Sequence, residues 1–191
     1  SEVQRFAQLL AGQTPYWLLN IYGPGGIGKT IVGEKLKAYA RQQGVPLAFV
    51  DGIRPDLTPD RLLYAVKEGL AQTDTLADAF HAFEREYEDY LIVQEVLHQG
   101  GGVPALFDVV GSLKDPTGFG QIISGLGRAL TENTRRTLSN RFALERYLRG
   151  VETALAKTLS TNLHAAQAQS SQPLTLLIDT YEELEGLDDW V

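Results

Sequence analysis

Eight residues constrain this chain more than any other part of it. Gly23-Pro24-Gly25-Gly26-Ile27-Gly28-Lys29-Thr30 fits the pattern G-x-x-x-x-G-K-[ST] at every fixed position. Glycines at this spacing let successive backbone N–H groups turn inward around an anion, and a helix that follows aims its partial positive charge at the same point. Lys29 is placed to reach the β- and γ-phosphates of a nucleotide, and the Thr30 hydroxyl to hold Mg²⁺. Ile31 completes the run of candidate nucleotide-contacting residues.

The context suits the motif. Trp17 to Tyr22, Leu47 to Val50 and Leu174 to Ile178 are short apolar runs bounded by glycine or proline, which predicts three buried parallel strands. Lys29 to Gln43 has the length of one helix and stops at Gly44. Strand, glycine loop, helix and strand make a βαβ unit, so the expected fold class is α/β.

The third run ends in Asp179, followed by Thr180-Tyr181-Glu182-Glu183. An apolar strand closed by aspartate has the form of a Walker B segment, with Asp179 as the Mg²⁺ ligand. Glu182, ahead of Glu183, is the candidate for orienting a water toward the γ-phosphate. Much of the acid between Glu182 and Asp189 also suits a solvated helix start. Asp51 closes the second strand before Gly52, so it too is expected to face the ligand-bearing edge of the sheet; it reads first as a turn residue and second as a catalytic one.

Between these parts the pattern is helical. Pro59 at a first helical position, after Thr58 as N-cap, opens a helix with Leu62, Leu63, Val66 and Leu70 on one face. Leu76 to Leu97 carries Phe80, Phe83, Tyr87 and Tyr90 at helical spacing, a stripe expected to be buried. Gly100 to Gly127 is too apolar for a linker and too glycine-rich for one helix; short packed helices or a hinge both fit. Thr134 to Ala168 is a long amphipathic pattern, expected to break near Gly150 or to project. Arg135, Arg136, Arg141, Arg146 and Arg149 give it a basic face, and Gln167 to Gln172 reads as a linker.

Composition excludes several classes. With 17 basic against 24 acidic side chains, the net charge of −7 gives no basic footprint for nucleic acid. No cysteine means no disulfides and no thiolate metal site, and the three histidines are far apart in sequence. No run is apolar enough to span a bilayer, and the first residues carry Glu2 and Arg5 where a signal peptide needs an apolar middle, so a cytoplasmic location is expected.

The run YGPGGIGKT and the ending LLIDTYEELEGLDDW resemble the nucleotide-binding module of signal-transduction ATPases with numerous domains, the STAND class that includes the NACHT and NB-ARC groups. The resemblance covers mainly residues 17 to 52 and 174 to 190, and implies the N-terminal part of such a module. It implies a P-loop NTPase fold of the ASCE/AAA-like kind, ATP/ADP and Mg²⁺ as ligands, and slow hydrolysis that drives a conformational change or oligomerisation. Lys29, Thr30, Asp179 and Glu182 take the matching roles. Lys29 and Asp179 are 150 residues apart, so residues 75 to 170 are expected to form a mainly helical insertion within a single domain spanning 1–191. The family's strand between the two motif strands, and its lid and winged helix, have no counterpart here. The sheet is therefore expected to be incomplete and the chain a piece of a longer protein. Two other readings stay open: a P-loop kinase or other phosphotransferase, with its motif strands adjacent, and a non-catalytic helical interaction module holding a structural nucleotide. Apolar stripes on the long helices suggest self-association or a protein partner.

Overall fold

The computed structural model describes residues 1–16, 18–24, 26–53, 57–73, 76–99 and 141–180. In chain order these form α1 (Glu2–Leu10), α2 (Lys29–Gln42), β1 (Leu47–Asp51), α3 (Pro59–Ala71), a 3₁₀ turn (Ala77–Phe80), α4 (His81–Gln99), α5 (Arg141–Gln169) and β2 (Thr175–Asp179). The chain is mixed α/β, mostly helical, with a two-stranded parallel sheet. It divides into two compact units, one holding Ser1–Phe80 and the chain from Leu159 onward, the other His81–Thr158.

In the first unit β1 and β2 pair in parallel with Leu47 opposite Thr175, Phe49 opposite Leu177 and Asp51 opposite Asp179. Helices cover both faces, as a parallel sheet requires. α3 lies on Ala48 so closely that a Cβ on Gly69 would come within 2.6 Å of the Ala48 Cα. Ala48 and Val50 are accordingly buried on that side. Side chains alternate along a strand, so Leu47, Phe49 and Asp51 belong to the other face, which α2 covers. There Phe6, Leu36, Ala40 and Val45 form a core joined by Leu47 and Leu177, and Lys37 sets its Nζ 3.8 Å above the Phe49 ring.

The segment expected as the first strand differs. Residues 18–23 make no ladder with the sheet. Leu19 and Ile21 are half-buried against the α2 core while Leu18 and Tyr22 are exposed, so the period-two pattern survives without strand pairing. An apolar run becomes a strand only where a neighbouring edge supplies backbone partners. Here β2 pairs with β1, and the adjacency of motif strands that a phosphotransferase would need is absent among the described residues.

Other expectations shift in detail. β2 includes Asp179 and begins one residue later than expected. α1, not anticipated, packs Phe6 edge-on against Tyr39 with ring centroids 6.2 Å apart. α5 runs through Gly150 without a break. One helical glycine costs about 1 kcal/mol, and the buried Val151, Leu155 and Leu159 that follow it anchor the helix against that cost. The expected linker is ordered: Gln167 lies in the last turn of α5, which ends at Gln169, and its Oε1 accepts the Leu174 N–H at 3.0 Å, while the Ser170 hydroxyl donates to the Gln172 carbonyl at 2.7 Å.

In the second unit, Phe83 and Tyr87 stack at 5.8 Å and Tyr90 lies 6.0 Å beyond. Phe83, Tyr87, Tyr90, Val93, Val151 and Leu155 are buried, while Leu91 on the same helix as the first four is exposed; Leu138 lies outside the described residues. Large exposed apolar side chains among the described residues lie mostly in the first unit, at Tyr16, Leu18, Tyr22, Ile27, Ile31 and Ile53. Among the described residues no helix is long and apolar enough to cross a membrane. The Gly100 to Gly127 stretch, Arg135 and Arg136 lie outside the described residues, as do Glu182 and Glu183.

Candidate phosphate-binding site

The glycine loop leads directly into α2. Gly26 and Gly28 have φ of 77° and 92°, the left-handed region open to glycine and costly for residues with a Cβ. Gly28 is the N-cap of α2 and has no side chain to offer the helix. The first-turn N–H groups therefore lack the side-chain oxygen that most helices place there. Pro24 sits in the turn, its carbonyl accepting the Ile27 N–H at 3.4 Å, and Ile27 lies beside Gly23, where an added Cβ would meet its Cγ2 at 3.2 Å. Gly25 lies outside the described residues.

Lys29, half-buried at the head of α2, donates from Nζ to the Gly23 carbonyl at 2.8 Å. The bond folds the ammonium back across the mouth of the loop. A cation at a helix N-terminus is opposed by the helix dipole; the carbonyl compensates it here, and an anion in the loop would do so more strongly. Thr30 is exposed in the first turn, and Ile31 points outward at 62% exposure.

α2 runs down toward Val45 and β1 runs back, with Lys37 over Phe49 at mid-length. From that contact Lys29 lies eight residues toward the start of the helix, about 12 Å at the helical rise, and Asp51 and Asp179 lie one pleat on in the same direction. The loop and the carboxyl ends of both strands thus share one end of the unit, the end where parallel α/β sheets bind ligands.

Asp179 is half-buried at that end. Its carbonyl accepts the Gly52 N–H at 2.9 Å, and the next residue, Thr180, has φ of 56°, the one positive value among the described non-glycine residues. A β-branched residue in that region marks a strained turn. Asp51 does the structural work expected of it, Oδ1 accepting the Ile53 N–H at 3.0 Å. The sequence did not reveal that Asp51 stands directly opposite Asp179; only the strand register carries that information.

A threonine hydroxyl and a carboxylate are hard oxygen donors of the kind Mg²⁺ takes, so Thr30 and Asp179 fit that ion chemically. Among the described residues no three His, Asp or Glu side chains gather into a self-sufficient metal site. A separate groove of about 310 Å³, bordered by Val66, Leu70, Leu163, His164, Leu174 and Leu176, lies at the opposite end of β2. Arg146 and Arg149 are exposed on α5 in the second unit. No protein-family model matches the chain, and neither a search of curated proteins nor one of solved structures found a match.

Proposed function

We propose that the chain is the nucleotide-binding part of a switch ATPase, holding ATP or ADP with Mg²⁺ in the Gly23–Thr30 loop. One observation carries the reading: the eight-residue motif adopts two left-handed glycines, opens a helix with no side-chain cap, and sets Lys29 across the mouth of the loop. Anion binding at such a helix start is a direct consequence of its orphan N–H groups and dipole.

In this reading the loop amides from Gly26 to Thr30 and Ile31 surround the phosphates, and Lys29 leaves the Gly23 carbonyl to pair with them. Thr30 and Asp179 hold Mg²⁺, which supplies charge neutralisation at the β- and γ-oxygens. Glu182, with Glu183 beside it, follows the end of β2 in sequence and orients the attacking water. Slow turnover suits a switch, because the γ-phosphate shifts an equilibrium only through contacts that differ between the two states. The output would be a conformational change or oligomerisation of the protein.

Calorimetric titration with Mg²⁺–ATP, Mg²⁺–ADP and Mg²⁺–GTP, alongside Lys29→Ala, tests this. Binding in the micromolar range, about −8 kcal/mol, that is lost in the variant supports the site and identifies its base preference. A folded wild-type chain that binds none of the three refutes the reading.

A further inference from the structure

Thr180 directly follows β2 and is the one described non-glycine residue with a positive φ, 56°. Its β-branched side chain makes that region costly, where a glycine or an asparagine would sit with little penalty. The neighbouring strand end holds it there. The Asp179 carbonyl accepts the Gly52 N–H at 2.9 Å, and the Thr180 carbonyl lies so close to Gly52 that a Cβ there would be 2.4 Å from its oxygen. Gly52 is buried at this contact, while Thr180 is half-buried.

The bond and the strain belong to one peptide group. The φ of Thr180 and the ψ before it together turn the Asp179–Thr180 peptide, which is planar with its carbonyl and N–H on opposite sides. Turning that peptide over returns Thr180 to negative φ. It also carries the Asp179 carbonyl away from Gly52, so relief of the strain and loss of the hydrogen bond are the same event. The two are of similar size, which is the condition for two populated positions of one element.

We infer that the Asp179–Thr180 peptide is a strained latch between the strand ends, closed in this structure by the Gly52 bond and opened by a peptide flip that relaxes Thr180. Its position gives the latch a use. On one side it ties β2 to β1 beyond the last ladder pair, Asp51 with Asp179; on the other it sets the direction in which the chain leaves Asp179. Opening therefore rearranges the backbone at Asp179 while the apolar pairs behind it, Phe49 with Leu177 and Leu47 with Thr175, stay in register. Strain held at a joint of this kind is a recurrent feature of elements that switch. The inference goes beyond the nucleotide reading and stands without it, since every contact it uses lies within the two strand ends.

Amide hydrogen exchange, followed residue by residue by NMR in the whole chain, tests the latch in wild type, Thr180→Gly and Thr180→Asn, with circular dichroism to confirm that each variant is folded. In wild type the Gly52 amide is protected but exchanges faster than that of Val50, two residues back in β1, and its rate is insensitive to low urea, as local opening requires. Thr180→Gly removes the cost of the closed form and slows Gly52 exchange by about tenfold. Thr180→Asn keeps a side chain that tolerates the left-handed region and shifts the rate in the same direction. A Gly52 amide that exchanges with the rate and urea dependence of Val50 opens only when the whole unit unfolds, and that result overturns the latch. So does a Gly52 amide with no protection in wild type, or a Gly52 rate that neither variant changes.

Discussion

Gly52→Ala probes the joint on which the candidate site depends. Gly52 is not in the left-handed region, so alanine there carries no φ penalty and any cost is steric. An added Cβ would lie 2.4 Å from the Thr180 oxygen and 3.1 Å from both the Asp179 oxygen and the Thr180 carbonyl carbon. All three are backbone atoms, which cannot swing aside as a side chain would. The strand ends must separate by about 1 Å to reach ordinary contact. That movement sacrifices the Gly52 N–H to Asp179 carbonyl bond, worth about 1 kcal/mol net, and adds overpacking of about 1–3 kcal/mol. The expected loss is therefore about 2–4 kcal/mol, or about 1–2 M in urea midpoint for a slope near 2 kcal/mol/M. Urea unfolding followed by circular dichroism measures it. Gly33→Ala is the internal control, because a Cβ at Gly33 meets nothing within 4 Å and the helix gains from alanine. A Gly52→Ala midpoint within 0.2 M of wild type, on the order of 0.4 kcal/mol at that slope, would refute the close approach and with it the rigid spacing of Asp51 and Asp179.

Gly33→Ala should itself raise stability by about 0.5–1 kcal/mol, and a lowered urea midpoint would mean that this face of α2 is covered. Glu182→Gln should reduce ATP turnover by roughly 10²–10⁴-fold while leaving ADP affinity unchanged; equal turnover in a phosphate-release assay excludes it as the water-orienting group. Tyr147 has a buried hydroxyl without a hydrogen-bond partner among the described residues. Tyr147→Phe should stabilise by about 1 kcal/mol, since it removes that unsatisfied group, and a lower melting temperature would show that the hydroxyl is bonded. Burial pushes the Tyr147 phenol well above its ordinary value of 10.0, with Asp89, Glu86 and Tyr90 adding to the rise. A folded-state pKa raised in this way means that the unfolded chain loses its proton first. Stability is full below pH 10 and falls as pH rises through the elevated value. Unfolding at pH 9 to 11.5 should accordingly show a steeper alkaline loss in wild type than in Tyr147→Phe.

The elements legible in the sequence were those whose stability is local. α2 and α3 declare themselves through helical spacing, through Gly44 as a stop and through Pro59 at the first position, and both helices lie where those signals put them. β1 and β2 are short apolar runs with clear boundaries, and each is one residue from its expected span. The run from residue 18 to residue 22 has the same apolar character and the same alternation, yet no ladder. The difference is not in its side chains. Leu19 and Ile21 bury their inner faces on α2 as a strand would, but strand identity resides in backbone hydrogen bonds, and those depend on which edge stands alongside. The same limit applies to the site. Gly26, Gly28 and Lys29 could be read from the eight-residue pattern because the loop's chemistry is contiguous. Asp51 could be placed at the ligand-bearing edge, but its pairing with Asp179, 128 residues away, could not, because that depends on a register set by the packing of Ala48 against Gly69 and of Leu47 and Leu177 against α2. A slip of that register by one residue would turn Asp179 to the opposite face and leave Asp51 with an apolar neighbour. The pairing of the two strand ends is therefore fixed by the hydrophobic residues behind them, and Leu177→Asp, which places a charge in the α2 core, should lower the urea unfolding midpoint without touching either aspartate.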